Sequence, residues 1–299
     1  MAVKRSGEQF AHLPSGIDIC YESFGRADDP VVLLIMGLGG PMGWWSNEFC
    51  DQLAERGYRV IRYDNRDTGR STKLHQHRVV KTTILRAALG LATDAPYGLD
   101  DLAADAIGLL DALGVDRAHV AGVSMGGMIG QILAIGHPER VLSLTSIMST
   151  TGRRTVGWQH PKVLPAMLTS AGRTRESYVE RALKSSRIIG SPGYPADHDR
   201  AVARAVETYD RGWTASGVAR HMLAVLTARD RTKELASVTV PATVVHGMAD
   251  PLVHRSGGRA THQAIAGSEL IEIPGLGHDL PVELYPTFID AIVKTAERA

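Results

Sequence analysis

Two hydrophobic periods alternate along this chain. Residues 9–24 alternate apolar and polar around Pro14-Ser15-Gly16, which predicts a β-hairpin. Val31-Val32-Leu33-Leu34-Ile35-Met36 is an unbroken apolar run closed by Gly37-Leu38-Gly39-Gly40, as expected of a strand covered on both faces. Residues 46–56 read as a helix with Ser46 as N-cap, and residues 58–63 as a second buried strand ending at Asp64. Leu102, Ala106, Leu109, Leu110 and Leu113 share one face of a helix over 100–113, which Gly114 stops. A short strand at 118–123 runs straight into a helix at 125–135. Strands follow at 141–148, 238–246 and 269–273, and a helix over 286–299 closes the chain. Strands alternating with helices predict an α/β fold, a doubly wound and mostly parallel sheet with helices on both faces.

That regularity fails between 151 and 235. The stretch is helical in pattern, is broken by Gly190-Ser191-Pro192-Gly193-Tyr194-Pro195, and contains no convincing strand. It also holds 15 Lys and Arg against 8 Asp and Glu, a net of +7 in a chain whose total is +1. We therefore expect a core made of residues 1–150 and 236–299, with residues 151–235 as a helical cap or lid above it. A near-neutral total gives no global field for nucleic acid. For the basic stretch two readings stand: it draws an acidic substrate or, weakly, anionic lipid, or its arginines pair with local acids such as Glu176 and face solvent, which is the better reading.

Cys20 and Cys50 make no disulfide framework and read as buried reduced thiols. The first eight residues are basic, but no apolar run follows them as in a secretory signal, and no run of 18 apolar residues occurs anywhere. The expected location is the cytoplasm.

The sharpest chemical signal is Gly122-Val123-Ser124-Met125-Gly126, placed between a predicted strand and a predicted helix. A nucleophile on so tight a turn projects above the sheet, and glycines two residues to either side avoid collision with neighbouring backbone. A serine needs a base and an orienting acid, expected in the order Ser, Asp or Glu, His. His278 in Pro274-Gly275-Leu276-Gly277-His278-Asp279 follows the last predicted strand, where sites form in parallel sheets. Asp250 lies in the loop after the preceding strand; Asp230 and Asp279 are weaker rivals for the acid, and His246 and His254 for the base. Two backbone N–H groups, of Met125 and of Leu38 in the glycine-rich loop, are expected to receive an oxyanion. Met128, Trp158, Met167, Trp213 and Met222 are candidates for an apolar acyl pocket, although for each alone core packing is the better reading.

At these residues the chain resembles the α/β-hydrolase family over about residues 8 to 298. Segments such as Asp67-Thr68-Gly69-Arg70-Ser71 and Glu272-Ile273-Pro274-Gly275-Leu276-Gly277-His278 are similar to bacterial esterases of the aclacinomycin methylesterase kind. The resemblance implies a sheet of about eight strands, a triad of Ser124, Asp250 and His278, and an oxyanion hole at Leu38 and Met125. It also implies that the turn from Asp64 to Ser71 is structural and that the cap selects the substrate. Met36-Gly37 departs from the family's His-Gly, but the role there is a backbone one. The expected activity is cleavage of a small-molecule carboxylic ester through an acyl-enzyme, with no metal or cofactor. Thioester or phospholipid hydrolysis, acyl transfer or carbon–carbon bond hydrolysis on the same triad, and a ligand-binding receptor with vestigial catalysis, stay open as alternatives.

Overall fold

The computed structural model describes residues 3–91, 93–163 and 174–299. Eight strands form one sheet: β1 (Gln9–His12), β2 (Asp18–Phe24), β3 (Val31–Ile35), β4 (Arg59–Tyr63), β5 (Ala118–Val123), β6 (Val141–Ile147), β7 (Ala242–Gly247) and β8 (Glu269–Ile273). Their order is β1-β2-β4-β3-β5-β6-β7-β8. Pairing is antiparallel from β1 to β2 and from β2 to β4, and parallel at every later step. This is the mostly parallel sheet that the alternating pattern predicts.

The apolar runs explain its central position. In β3, Val32 and Leu34 enter one core while Val31, Leu33 and Ile35 enter another, so both faces are dry. On the first face lie α1 (Asn47–Ala54) and α9 (Tyr285–Ala296). On the second lie α3 (Leu99–Ala112) and α4 (Met125–Gly136). Ser46 caps α1 by accepting the Phe49 N–H at 3.1 Å. Gly114 ends α3 with φ +63°, a conformation that favours glycine.

Three elements differ from expectation. The strand expected over 238–246 begins only at Ala242. Leu235 closes a turn onto Val238, and Pro241, which has no N–H, offers only its carbonyl to Leu144. Two helices carry no clear signal in the sequence: α2 (Lys81–Ala88) and α8 (Ser256–Ala264). The second begins Ser256-Gly257-Gly258, poor helix formers, yet both glycines are needed because Thr150 and His246 lie against them. Between β6 and β7 the chain leaves the sheet for α5 (Arg175–Ile189), α6 (His198–Asp210) and α7 (Ala215–Leu226). Among the described residues of this stretch there is no strand. No described helix is long and apolar enough to cross a membrane.

Candidate active site

Backbone geometry singles out Ser124. It sits between β5 and α4 with φ +56°, a strained value for a residue with a side chain. A Cβ on Gly122 would overlap the carbonyl of Gly126, and one on Gly126 would overlap that of Ile35. The two glycines therefore let α4 start against β5 and β3, which is the packing that the five-residue motif needs. The Ser124 N–H donates to Ile147 O at 2.8 Å, and its carbonyl accepts the Ser149 hydroxyl at 2.8 Å. The turn is thus held from both sides.

The glycine-rich loop after β3 passes beside this serine. A Cβ on Gly37 would lie 3.2 Å from Ser124 Cβ, a tight contact that glycine avoids. Gly40 N–H donates to Gly37 O at 3.2 Å, and Gly39 N–H donates to His221 Nδ1 at 3.1 Å. The Leu38 and Met125 N–H groups have no acceptor among the described residues. Met125 opens α4, where the helix dipole adds partial positive charge.

His278 and Asp250 meet although 28 positions separate them. His278 Nδ1 lies 2.7 Å from Asp250 Oδ2, and both side chains are buried. The other carboxylate oxygen accepts the Leu252 and Val253 N–H groups at 2.8 and 2.9 Å. The His278 N–H donates to Ile189 O at 2.7 Å, tying its loop to the end of α5. His246 lies behind this pair. Its Nε2 donates to Val253 O at 2.8 Å and is 3.7 Å from Asp250 Oδ2, and burial pushes its pKa down.

The rival acids have other partners, although Asp279 lines the same cavity as Ser124. Asp230 accepts the Thr232 N–H at 2.9 Å and the Thr232 hydroxyl at 2.5 Å. Asp279 accepts the Ser191 hydroxyl, and burial raises its pKa. His254 stacks on Trp158 with ring centroids 4.2 Å apart.

One cavity of about 340 Å³ collects these groups. Leu38, Ser124, Met125 and His278 line it from the sheet side, and residues of α5, α6 and α7 line it from above. Of the expected pocket residues, Met128, Trp213 and Met222 line the cavity. Trp158 does not: it stays 48% exposed, stacked on His254, because its loop folds over the start of α8 instead. Met167 lies outside the described residues.

The cavity also exposes residues that no sequence signal marked. Trp44 donates its indole N–H to the Thr208 hydroxyl at 2.9 Å, and the Arg204 guanidinium lies 5.5 Å above its ring. Tyr178 packs on Trp213 at 4.5 Å between ring centroids. Trp44 ends a single 3-10 turn (Met42–Trp44), while Tyr178, Arg204 and Thr208 sit on amphipathic helices whose inward face reads as ordinary core packing. Nothing local marks them as lining a site. Among the described residues no group of three or more His, Cys, Asp or Glu could hold a metal ion.

Residues 30–283 match the family model for the alpha/beta hydrolase fold, and the chain belongs to that family. The chain is 32% identical over 296 residues to the rhodomycin D methylesterase DnrP of Streptomyces peucetius, covering 91% of this chain and 92% of that protein. It is 31% identical over 295 residues to the rhodomycin D methylesterase DauP of Streptomyces sp. (strain C5), with the same coverage. Among solved structures, the esterase RhEst1 from Rhodococcus sp. ECU1013 superimposes with a TM-score of 0.72 at 22% identity, covering 97% of this chain and 98% of that one.

Proposed function

We propose that the chain cleaves carboxylic esters through an acyl-enzyme, with Ser124 as nucleophile, His278 as general base and acid, and Asp250 as the orienting carboxylate. That the chain is a carboxylic ester hydrolase follows from its methylesterase relatives. The mechanism rests on one observation above all. A serine on a strained turn faces the same cavity as a histidine whose Nδ1 is fixed 2.7 Å from a buried carboxylate.

Ser124 Oγ attacks the ester carbonyl carbon as His278 Nε2 takes its proton. Asp250 accepts the Nδ1–H, holds the tautomer and stabilises the imidazolium. The amides of Leu38 and Met125 receive the oxyanion. The C–O bond then breaks, the alcohol leaves with the proton from His278, and water repeats the sequence to release the acid. The apolar walls provided by Met128, Trp213 and Met222 suit an apolar acyl or alcohol part. In this scheme residues 151–235 form a cap over the core of residues 1–150 and 236–299.

Five carboxylates outside the basic stretch (Glu8, Glu48, Asp64, Asp67 and Asp100) pair with arginines inside it. The basic excess is therefore one half of a seam that joins cap to core, and this argues for a neutral ester over anionic lipid.

An organophosphonate should label Ser124 and stop hydrolysis of an ester panel of graded acyl length, with Ser124→Ala as the blank. A label on another serine, with activity lost, would overturn the assignment. Thioesters in the same panel separate the two leaving-group classes.

A further inference from the structure

We propose that His221, on α7, is a positioning residue for the oxyanion loop: it takes up the Gly39 N–H and so leaves the Leu38 N–H as the amide aimed into the cavity. The proposal rests on the triad reading above.

The ring is fully buried and its two nitrogens face opposite partners. Nε2 lies 2.7 Å from the Arg66 carbonyl, which can only accept. Nδ1 lies 3.1 Å from the Gly39 N–H, which can only donate. These two neighbours permit one tautomer, neutral with the proton on Nε2. The charged groups around it, Arg66, Arg220 and Asp67, are already engaged with one another or with Asp105, and the remaining titratable neighbour, Tyr97, meets the ring edge to face at 6.2 Å. Burial holds the pKa down at about 4, so the ring stays neutral and Nδ1 keeps its lone pair at working pH.

The loop needs such a partner. Gly39 has φ +68°, and successive amides in a glycine-rich turn compete to point the same way. A fixed acceptor on one side of the loop decides which amide remains for the cavity. That acceptor is itself rigid: the preceding residue, Arg220, grips Asp67 through two hydrogen bonds of 2.6 and 2.7 Å and the His77 carbonyl at 2.8 Å. Val218, about one turn before it on α7, and Met222, the next residue, line the cavity. The helix that touches substrate is thereby the helix that sets the loop.

Three substitutions separate acceptor from donor. Asn places its carbonyl oxygen near the position of Nδ1, Gln places its amide near Nε2, and Leu replaces the ring with neither group. Steady-state hydrolysis of p-nitrophenyl butyrate is measured beside thermal denaturation and the rate of inactivation by an organophosphonate, with Ser124→Ala in parallel. Losing one oxyanion donor costs roughly 10²–10³ in kcat, and a misaimed donor somewhat less. His221→Gln and His221→Leu should lower kcat and phosphonate inactivation about 10- to 100-fold with KM within about threefold. His221→Asn should recover most of the loss. If Asn is as poor as Leu, if Gln matches wild type, or if activity merely tracks the melting temperature, His221 is a packing residue and the proposal fails. Should Leu not fold, the Asn–Gln contrast still decides. If Ser124→Ala retains activity, the triad reading fails and the proposal falls with it.

Discussion

Below the cavity, Ser124 and the glycine-rich loop after β3 are held by backbone packed on backbone; above it, the helices also meet the residues beneath them through charged side chains. At the elbow, glycines at 122 and 126 let β3, β5 and α4 approach until no Cβ fits. Across the seam, Arg211 meets Asp64 and Glu8, Arg220 meets Asp67, and Arg229 meets Asp100. Backbone contacts of the first kind leave little freedom and hold the Ser124 side chain in one place. Ion pairs of the second kind range from fully buried to exposed, so their contributions differ widely. The two regions should therefore fail differently when altered.

The largest effect belongs to the lower region. Asp250→Asn should cut kcat by roughly 10⁴ while the melting temperature barely changes, because the imidazole is left in the wrong tautomer. If kinetics show near-normal kcat while Asp279→Asn is dead, the orienting acid is the other one. At the seam the order reverses. Asp67→Asn strands the Arg220 guanidinium, whose side chain has no exposed surface, and should cost about 3–5 kcal/mol in chemical denaturation.

A smaller effect depends on pH. The folded pKa of His221 is depressed to about 4, below the unfolded value near 6.5, so the folded state binds fewer protons. The stability of the buried neutral ring is full above about pH 6.5 and declines as pH falls toward 4, by at most ~1.4 kcal/mol per pH unit. His119, also depressed to about 4, contributes its own decline. His221→Asn should flatten the denaturation profile in that window by one proton, and an unchanged slope would contradict the buried neutral ring. The smallest effect is at the exposed rim: Arg200→Gln, which breaks the 3.1 Å pair with Glu48, should shift the melting temperature by under about 2 °C. Rising salt should likewise change kcat/KM equally for neutral and anionic esters of matched chain, and a selective loss for the anionic ester would restore a steering role to the basic stretch.

Much of the lower region was legible because its signals are local. The Gly-x-Ser-x-Gly spacing states a steric fact about five consecutive residues, and Asp250 and His278 each follow an apolar strand whose end fixes their height above the sheet. Only part of the pocket was legible. Trp213 and Met222 reach the cavity, but Trp158 stacks outside it, while Trp44, Tyr178 and Arg204 give no sign of lining it. Helix α8 was hidden by its two glycines, whose low propensity is overridden by close packing on His246 and Thr150.

By itself, then, the sequence determined the strand–helix alternation, the elbow and the order of the triad candidates, since period and glycine spacing act over a few residues. Tertiary structure alone decided which arginines face carboxylates across the seam. It decided as well that His221 rather than another residue of α7 accepts the Gly39 N–H, 182 positions away. Such partners are chosen by how α7 docks on the turn after β4. That docking is set by burial summed over many contacts, none of which leaves a pattern in the sequence.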